Sequence, residues 1–429
     1  MRVLAGRMGE ISMRSVRRVR IPGFLGLALA MATILAVNTP GLSGTASATS
    51  GSSSKAPITV AMIGSTTGPG SVQYANSPKA FLARIALQNA EGGVDGHKLV
   101  PVVVNDAGNF TEETSIVQSA VQTKGALGVV SMTPFMFEAY RWLHQNGIPV
   151  TGSSADGPEW YEAANNNMFP ADDGAVESVP NTAQGKVFHL AGGSHASVAA
   201  IAYGISPISS QAAKDAVTEA KAEGLKAPYL NTSVTYGATD FTSDALAIKS
   251  SRANVVFPEM TDNSDFALVQ DLENAGAKFT AVLPVGLEPT VIGSPSWKAL
   301  QGNYFIEPFV PAQLHTTATD AMQAALEKYE HVPKSQFPDW AAYEAWLGAD
   351  LFIKGLELDG PNPTRAGVIA KLRQLTDYTG GGILAHPINY AAIFRGQEPE
   401  CVYVLKADSS GFVPVQSTPV CGTPVSGSH

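Results

Sequence analysis

Residues 58–76, ITVAMIGSTTGPGSVQYAN, carry an apolar run into a loop of glycine, serine, threonine and proline, a composition shared by phosphate cradles, reactive turns and small-molecule sites. A P-loop needs Gly-x-x-x-x-Gly-Lys-Ser/Thr, so that backbone N–H groups surround the phosphates and the lysine reaches them. Here Gly64 and Gly70 frame too long a gap, and no lysine follows. The dinucleotide fingerprint needs a third glycine for close helix packing, and Gln73 stands there instead. No Gly-x-Ser-x-Gly elbow and no His-Glu-x-x-His occurs, and the eight histidines (97, 144, 189, 195, 315, 331, 386, 429) are scattered. His189 and His195 bracket Gly192-Gly193, which reads as a capped helix end. Asp172-Asp173 reads as a solvated turn, because acid–base work needs two carboxylates facing one site. The residues demand no catalysis, metal or cofactor.

These residues are set among strands alternating with amphipathic helices. Strands are expected at 58–63, 99–105, 127–131 and 149–151, with helices at 78–90, 112–123 and 135–145 between them. The rhythm then restarts, with helices at 182–191, 211–223, 240–250 and 265–275 and strands at 198–203, 229–234, 254–258 and 281–285. Strict alternation makes parallel sheets with helices on both faces, so the expected fold is α/β with two doubly wound, Rossmann-like lobes. In such sheets ligands lie beyond the carboxyl ends of the strands, where the 64–70 loop falls.

The N-terminus says where the protein works. Residues 1–23 hold six arginines against Glu10, the apolar run FLGLALAMATILAV follows at 24–37, and Ala46-Ser47-Ala48 supplies a cleavage triplet. That is the layout of an export signal over 1–48, and the run is short for a membrane span. Arg17-Arg18 hints at the twin-arginine route, although Val-Arg-Ile after it is a poor match. An uncleaved membrane anchor is the alternative. No cysteine precedes Cys401, which excludes an N-terminal lipid anchor. Residues 49–56 form a flexible spacer. Loss of 1–48 moves the formal charge from −9 to about −14, which argues against nucleic acid as a partner. Cys401 and Cys421 flank a strand–turn–strand pattern, within bridging reach in an oxidising compartment; two unpaired buried thiols are the alternative.

From residue 58 to about 414 the chain resembles the solute-binding proteins of ABC transporters in the leucine/isoleucine/valine-binding family, with the type I periplasmic-binding-protein fold. The features that carry the resemblance are Thr67-Gly68-Pro69, Gln73-Tyr74, EGGVDGHKLVPVVVNDAG, GVVSMTP, GIPVTGSS, DFTSDALAIKSSRANVVF and WAAYEAWLGADLFIKGLE, in order and spacing. The resemblance implies two lobes, 57–170 with 308–380 and 174–305 with 386–424, the second ending in a hairpin. Three hinge crossovers join them near 169–174, 303–308 and 380–386. It implies capture of a small-molecule ligand between the lobes, delivery to ABC permease subunits, a monomer, and no enzymatic activity. A secreted or sensor-type binding module would share the fold.

Carried over position by position, the ligand's carboxylate would meet Ser131, Met132 and Thr133 and then Gly152, Ser153 and Ser154 at two strand ends, where short hydroxyls donate without adding charge. Turn capping is the ordinary role of such serines. Tyr74 matches a cleft-facing aromatic, and Tyr203 and Phe257 end strands where rings could cover an apolar ligand or serve as plain core. One departure stands out. Where amino-acid binders place a glutamate against the ligand's ammonium, this chain has Val285, so a buried ammonium lacks its partner unless Glu288 or Glu259 substitutes. The sequence therefore favours an amide, a carboxylate without an α-amine or an aromatic acid, with branched-chain amino acids as the family default.

Overall fold

The computed structural model describes residues 55–154, 157–172, 180–333, 336, 338–393 and 400–425; the expected export signal, most of the spacer and Asp173 lie outside them. Strands β1 (Ile58–Gly64), β2 (Leu99–Asn105), β3 (Gly128–Met132), β4 (Val150–Gly152) and β5 (Met168–Pro170) form a sheet in the order β2-β1-β3-β4-β5. Each pairing in it is parallel. Parallel central strands are covered on both faces, which is why β1 and β3 read as unbroken apolar runs while edge strand β2 leaves Val100 and Val103 exposed.

The pattern repeats in β6 (Ser197–Tyr203), β7 (Lys226–Val234), β8 (Val255–Glu259), β9 (Thr280–Leu283) and β10 (Tyr304–Glu307), ordered β7-β6-β8-β9-β10. Two further strands extend that sheet: β11 (Cys401–Asp408) pairs antiparallel with β10, β12 (Gly411–Pro414) pairs antiparallel with β11, and β13 (Val420–Cys421) also pairs with β11. The Cys401–Cys421 disulfide closes across β11 and β13, as the hairpin spacing led us to expect.

Helices α1 (Ser71–Tyr74), α2 (Ser77–Ala90), α3 (Glu113–Gln118) and α4 (Tyr140–Gln145) belong to the first half. Helices α5 (Thr182–Gly192), α6 (Pro207–Ala222), α7 (Thr242–Ser251), α8 (Asp262–Asn274) and α9 (Trp297–Leu300) belong to the second. The chain then returns through α10 (Thr317–Glu330), α11 (Trp340–Asp359) and α12 (Arg365–Leu372). Helix α11 packs against α2, β3 and β4, and Thr151 on β4 donates to the Gly348 carbonyl. Nearly every side of α11 is apolar, as a helix enclosed within a core requires. No helix of the described residues is long and apolar enough to cross a membrane.

Candidate functional site

Both sheets reverse strand order at one place, between β1 and β3 and between β6 and β8, and a crevice opens beyond the strand ends at such a switch point. The first switch point presents Ser65 and Thr133. The Ser65 hydroxyl donates to Asp106 Oδ2 at 2.9 Å and hydrogen-bonds with the Thr133 hydroxyl at 3.1 Å. The second presents Tyr203, whose hydroxyl hydrogen-bonds with Thr261 Oγ1 and with Ser264 Oγ, each at 2.6 Å.

An aromatic seam joins the two halves. The Phe135 ring, from the loop after β3, meets Tyr236, from the loop after β7, with centroids 5.2 Å apart; Tyr236 in turn lies 4.9 Å from Tyr203. Gly70 sits against the same tyrosine in a left-handed conformation (φ 75°), and a methyl group added there would lie 2.4 Å from the Tyr236 oxygen. Glycine alone allows both the dihedral and the approach.

The loop after β1 is no phosphate cradle. The Thr66 and Thr67 N–H groups donate to Asn105 Oδ1, and those of Ser71 and Gln73 donate to the Gly68 and Gly70 carbonyls. A cradle needs such donors free.

Of the residues expected at the site, Ser131, Thr133, Gly152, Ser153 and Ser154 come together at the ends of β3 and β4. Ser131 is fully buried and its hydroxyl has no hydrogen-bond partner. Gly152 (φ 119°) lies so close to the Ser131 carbonyl that a Cβ would sit 2.4 Å from it, and the Ser153 N–H donates to that carbonyl at 3.0 Å. Ser154 Oγ hydrogen-bonds with the Tyr161 hydroxyl at 2.9 Å. Met132 is wholly core. Tyr74 is buried edge-on to Trp340, 5.8 Å between centroids. Tyr203 lies at the seam, but Phe257 does not: it packs edge-to-face on Phe188 of α5, in the core behind the second sheet. Val285 is buried among apolar residues. Glu288 caps its own turn by accepting from the Thr290 N–H and hydroxyl. Glu259, half-buried at the end of β8, has its carboxyl pushed up to about 8 by burial and then by the Glu400 charge.

Asp172 corrects the solvated-turn reading. It is 7 % exposed, and burial raises its carboxyl while hydrogen bonds from Glu344 and Ser154 pull it back. A turn beyond the last strand of a sheet is covered when a second half packs over it, and one sequence cannot display that cover.

Position matching missed Phe135, Tyr236 and Thr261, and it also missed a group of buried carboxylates. Glu307 ends β10, Asp262 begins α8, and Asp339 caps α11 by accepting from the Ala342 N–H at 2.7 Å. Burial raises all three, and the charges of Asp262, Asp172 and Asp339 each raise Glu307 further. Asp339 is pushed up to about 7. The only local signal was the helix-starting position of Asp262 and Asp339, which ordinarily means capping.

The model of one family, described as periplasmic binding protein, matches residues 57–411. The chain belongs to the periplasmic binding protein family. Three solved structures share the fold of this binding protein. A solute-binding protein of an ABC transporter from R. palustris in complex with benzoate is 14% identical, with a TM-score of 0.70 over 86% of this chain and 98% of that one. A fatty acid ABC transporter substrate-binding protein from Thermomonospora curvata is 16% identical, with a TM-score of 0.71 over 86% and 93%. A branched chain amino acid ABC transporter structure from Thermus thermophilus with bound valine is 17% identical, with a TM-score of 0.70 over 85% and 96%. No curated protein matches the chain in sequence. The fold is the type I periplasmic-binding-protein fold that the sequence led us to expect.

Proposed function

We propose that this binding protein is the extracytoplasmic component of an ABC importer, which captures a small organic solute between its two halves and hands it, unchanged, to permease subunits in the membrane. The observation that carries this reading is the pair of switch points set face to face, with hydroxyls at the strand ends and one aromatic seam, Phe135–Tyr236–Tyr203, spanning the gap. Hydroxyls and rings hold a solute by hydrogen bonds and apolar cover. A cavity of about 450 Å³ between the halves supports it, lined by Pro158, Tyr161 and Glu162 from the first half and by Ile208, Gln211 and Lys214 from the second.

In this reading the protein is exported through residues 1–48 and acts as a monomer. Its lobes are 57–170 with 308–380 and 174–305 with 386–424, hinged near 169–174, 303–308 and 380–386, and it opens to admit solute and closes to present it. A panel of amino acids, amides and aromatic and aliphatic acids, screened by melting temperature and small-angle scattering, tests the reading. A true ligand raises the melting temperature and shrinks the radius of gyration. Recovery of a chemically altered compound from the complex, or flat curves throughout, refutes it.

A further inference from the structure

The cavity between the halves carries one charge of each sign, and the two stand on opposite walls. Glu162 comes from the loop between β4 and β5 in the first half and Lys214 from α6 in the second, and both residues are exposed. They line one space without pairing, because the ion pairs among the described residues are Arg84–Asp350 and His315–Asp320. Asp215, the residue after Lys214, is 7 % exposed, and its Oδ1 accepts from Gln211 Nε2 at 2.9 Å. Burial pushes that carboxyl up to about 6, while the Gln211 hydrogen bond and then the Lys214 charge keep it from going higher. Lys214 therefore acts on Asp215 without an ion pair, and its ammonium is left to meet another anion.

Between the two charges the walls are apolar. Pro158 and the Tyr161 ring line the space from the first half, and Pro207 and Ile208 line it from the second. Tyr161 is held in place, since it is buried and its hydroxyl hydrogen-bonds with Ser154 Oγ at 2.9 Å. At about 450 Å³ the cavity falls within the range of about 300–1,000 Å³ that small-molecule sites occupy. A solute enclosed there takes Glu162 and Lys214 out of water together. One without a positive group leaves the carboxylate unanswered, one without a negative group leaves the ammonium unanswered, and either omission is penalised. A solute with both charges at one end reaches only one wall. Methylenes between the charges let it reach both walls and lie along the apolar surface.

Resting on the solute-binding reading above, we propose that the solute is dipolar, with its two charges separated by several methylenes as in the ω-amino acid class, its ammonium on Glu162 and its carboxylate on Lys214. Such a molecule ties one half of the protein to the other, so that binding itself draws the two walls together.

Isothermal titration of the purified protein at pH 7.5 with 5-aminovalerate, L-leucine, pentanoate and pentylamine tests the proposal. 5-Aminovalerate is expected to bind at least tenfold tighter than the other three, since pentanoate and pentylamine each lack one charge and leucine holds both at one end. The Glu162→Gln and Lys214→Gln variants are each expected to weaken 5-aminovalerate binding tenfold or more at an unchanged melting temperature, because both residues are exposed. Leucine, pentanoate or pentylamine binding as tightly as 5-aminovalerate overturns the separated-charge class and leaves the binding-protein reading standing. Binding of 5-aminovalerate that neither substitution weakens overturns the assignment of the two walls. Silence from all four probes, alongside a solute found in the broader screen, also overturns the proposal, whereas silence in both experiments removes the binding-protein reading itself.

Discussion

Glu113→Gln should make this protein more stable at neutral pH and leave it unchanged in acid. Glu113 opens α3, is fully buried, and has its carboxyl pushed up to about 9, first by burial and then by the Asp106 charge beside it. The unfolded chain carries an ordinary glutamate, near 4.5, so at pH 7 the folded protein holds a proton that the unfolded one has lost. A carboxyl raised on folding costs nothing below its unfolded value and costs more with each step of pH until the folded value is passed. At about 1.4 kcal/mol per tenfold in proton affinity, the cost at pH 7 is about 3 kcal/mol. Glutamine has nearly the same shape and no proton to hold, so that amount should return as stability. Urea unfolding at pH 4, 7 and 9 is the assay. The variant should match the wild type at pH 4, gain about 3 kcal/mol at pH 7 and gain more at pH 9. A difference that stays constant across the three pH values would show that the carboxyl is not held protonated, and the reasoning would fall with it.

Gly70→Ala should prop the halves apart, because the new methyl meets the Tyr236 oxygen; scattering should then show a larger radius of gyration, and an unchanged one would place the contact elsewhere. Tyr236→Ala removes the ring between Phe135 and Tyr203 and should weaken solute binding about tenfold, while Tyr236→Phe, which loses only an unpartnered hydroxyl, should bind as the wild type does. Equal losses in the two variants would mean that the ring is not the agent. Replacing Cys401 and Cys421 by serine opens a loop spanning 20 residues and should cost about 3 kcal/mol in urea unfolding, a loss that reductant imposes on the wild type alone.

Much of the fold was legible because each strand and helix announces itself locally. The 99–105 strand is found at the expected bounds, and the double α/β rhythm was visible as alternating apolar runs and helical periods. Boundaries were lost where caps decide them. Helix α6 was expected from 211 but begins at Pro207, because the Ser206 side chain accepts from the Ser209 N–H and proline suits the first turn. The two candidate aromatics of the second sheet separate by parity. Phe257 pairs in register with Ala200 and shares its face, whereas Tyr203 shares the opposite face with Ala199 and Ile201. Alternate residues of a strand point to opposite faces, so strand-end proximity alone did not settle which ring reached the seam. Strand-end hydroxyls such as Thr133 and Ser154 were readable from position. The carboxylates at 172, 262, 307 and 339 were not, since only tertiary packing brings residues so distant in sequence to one seam.

The return of α10, α11 and α12 to the first sheet, and of β11 to β13 to the second, has a consequence for biosynthesis. A ribosome that has released only the first 300 or so residues, at roughly 5–20 per second, has delivered the middle of each core without its cover. Helix α11 must arrive before β3 and β4 are enclosed, and β11 must arrive before β10 gains its antiparallel neighbour. Neither half can therefore mature alone during translation, and any stop codon upstream of residue 340 should yield a chain that proteases clear entirely, with no surviving single-lobe fragment.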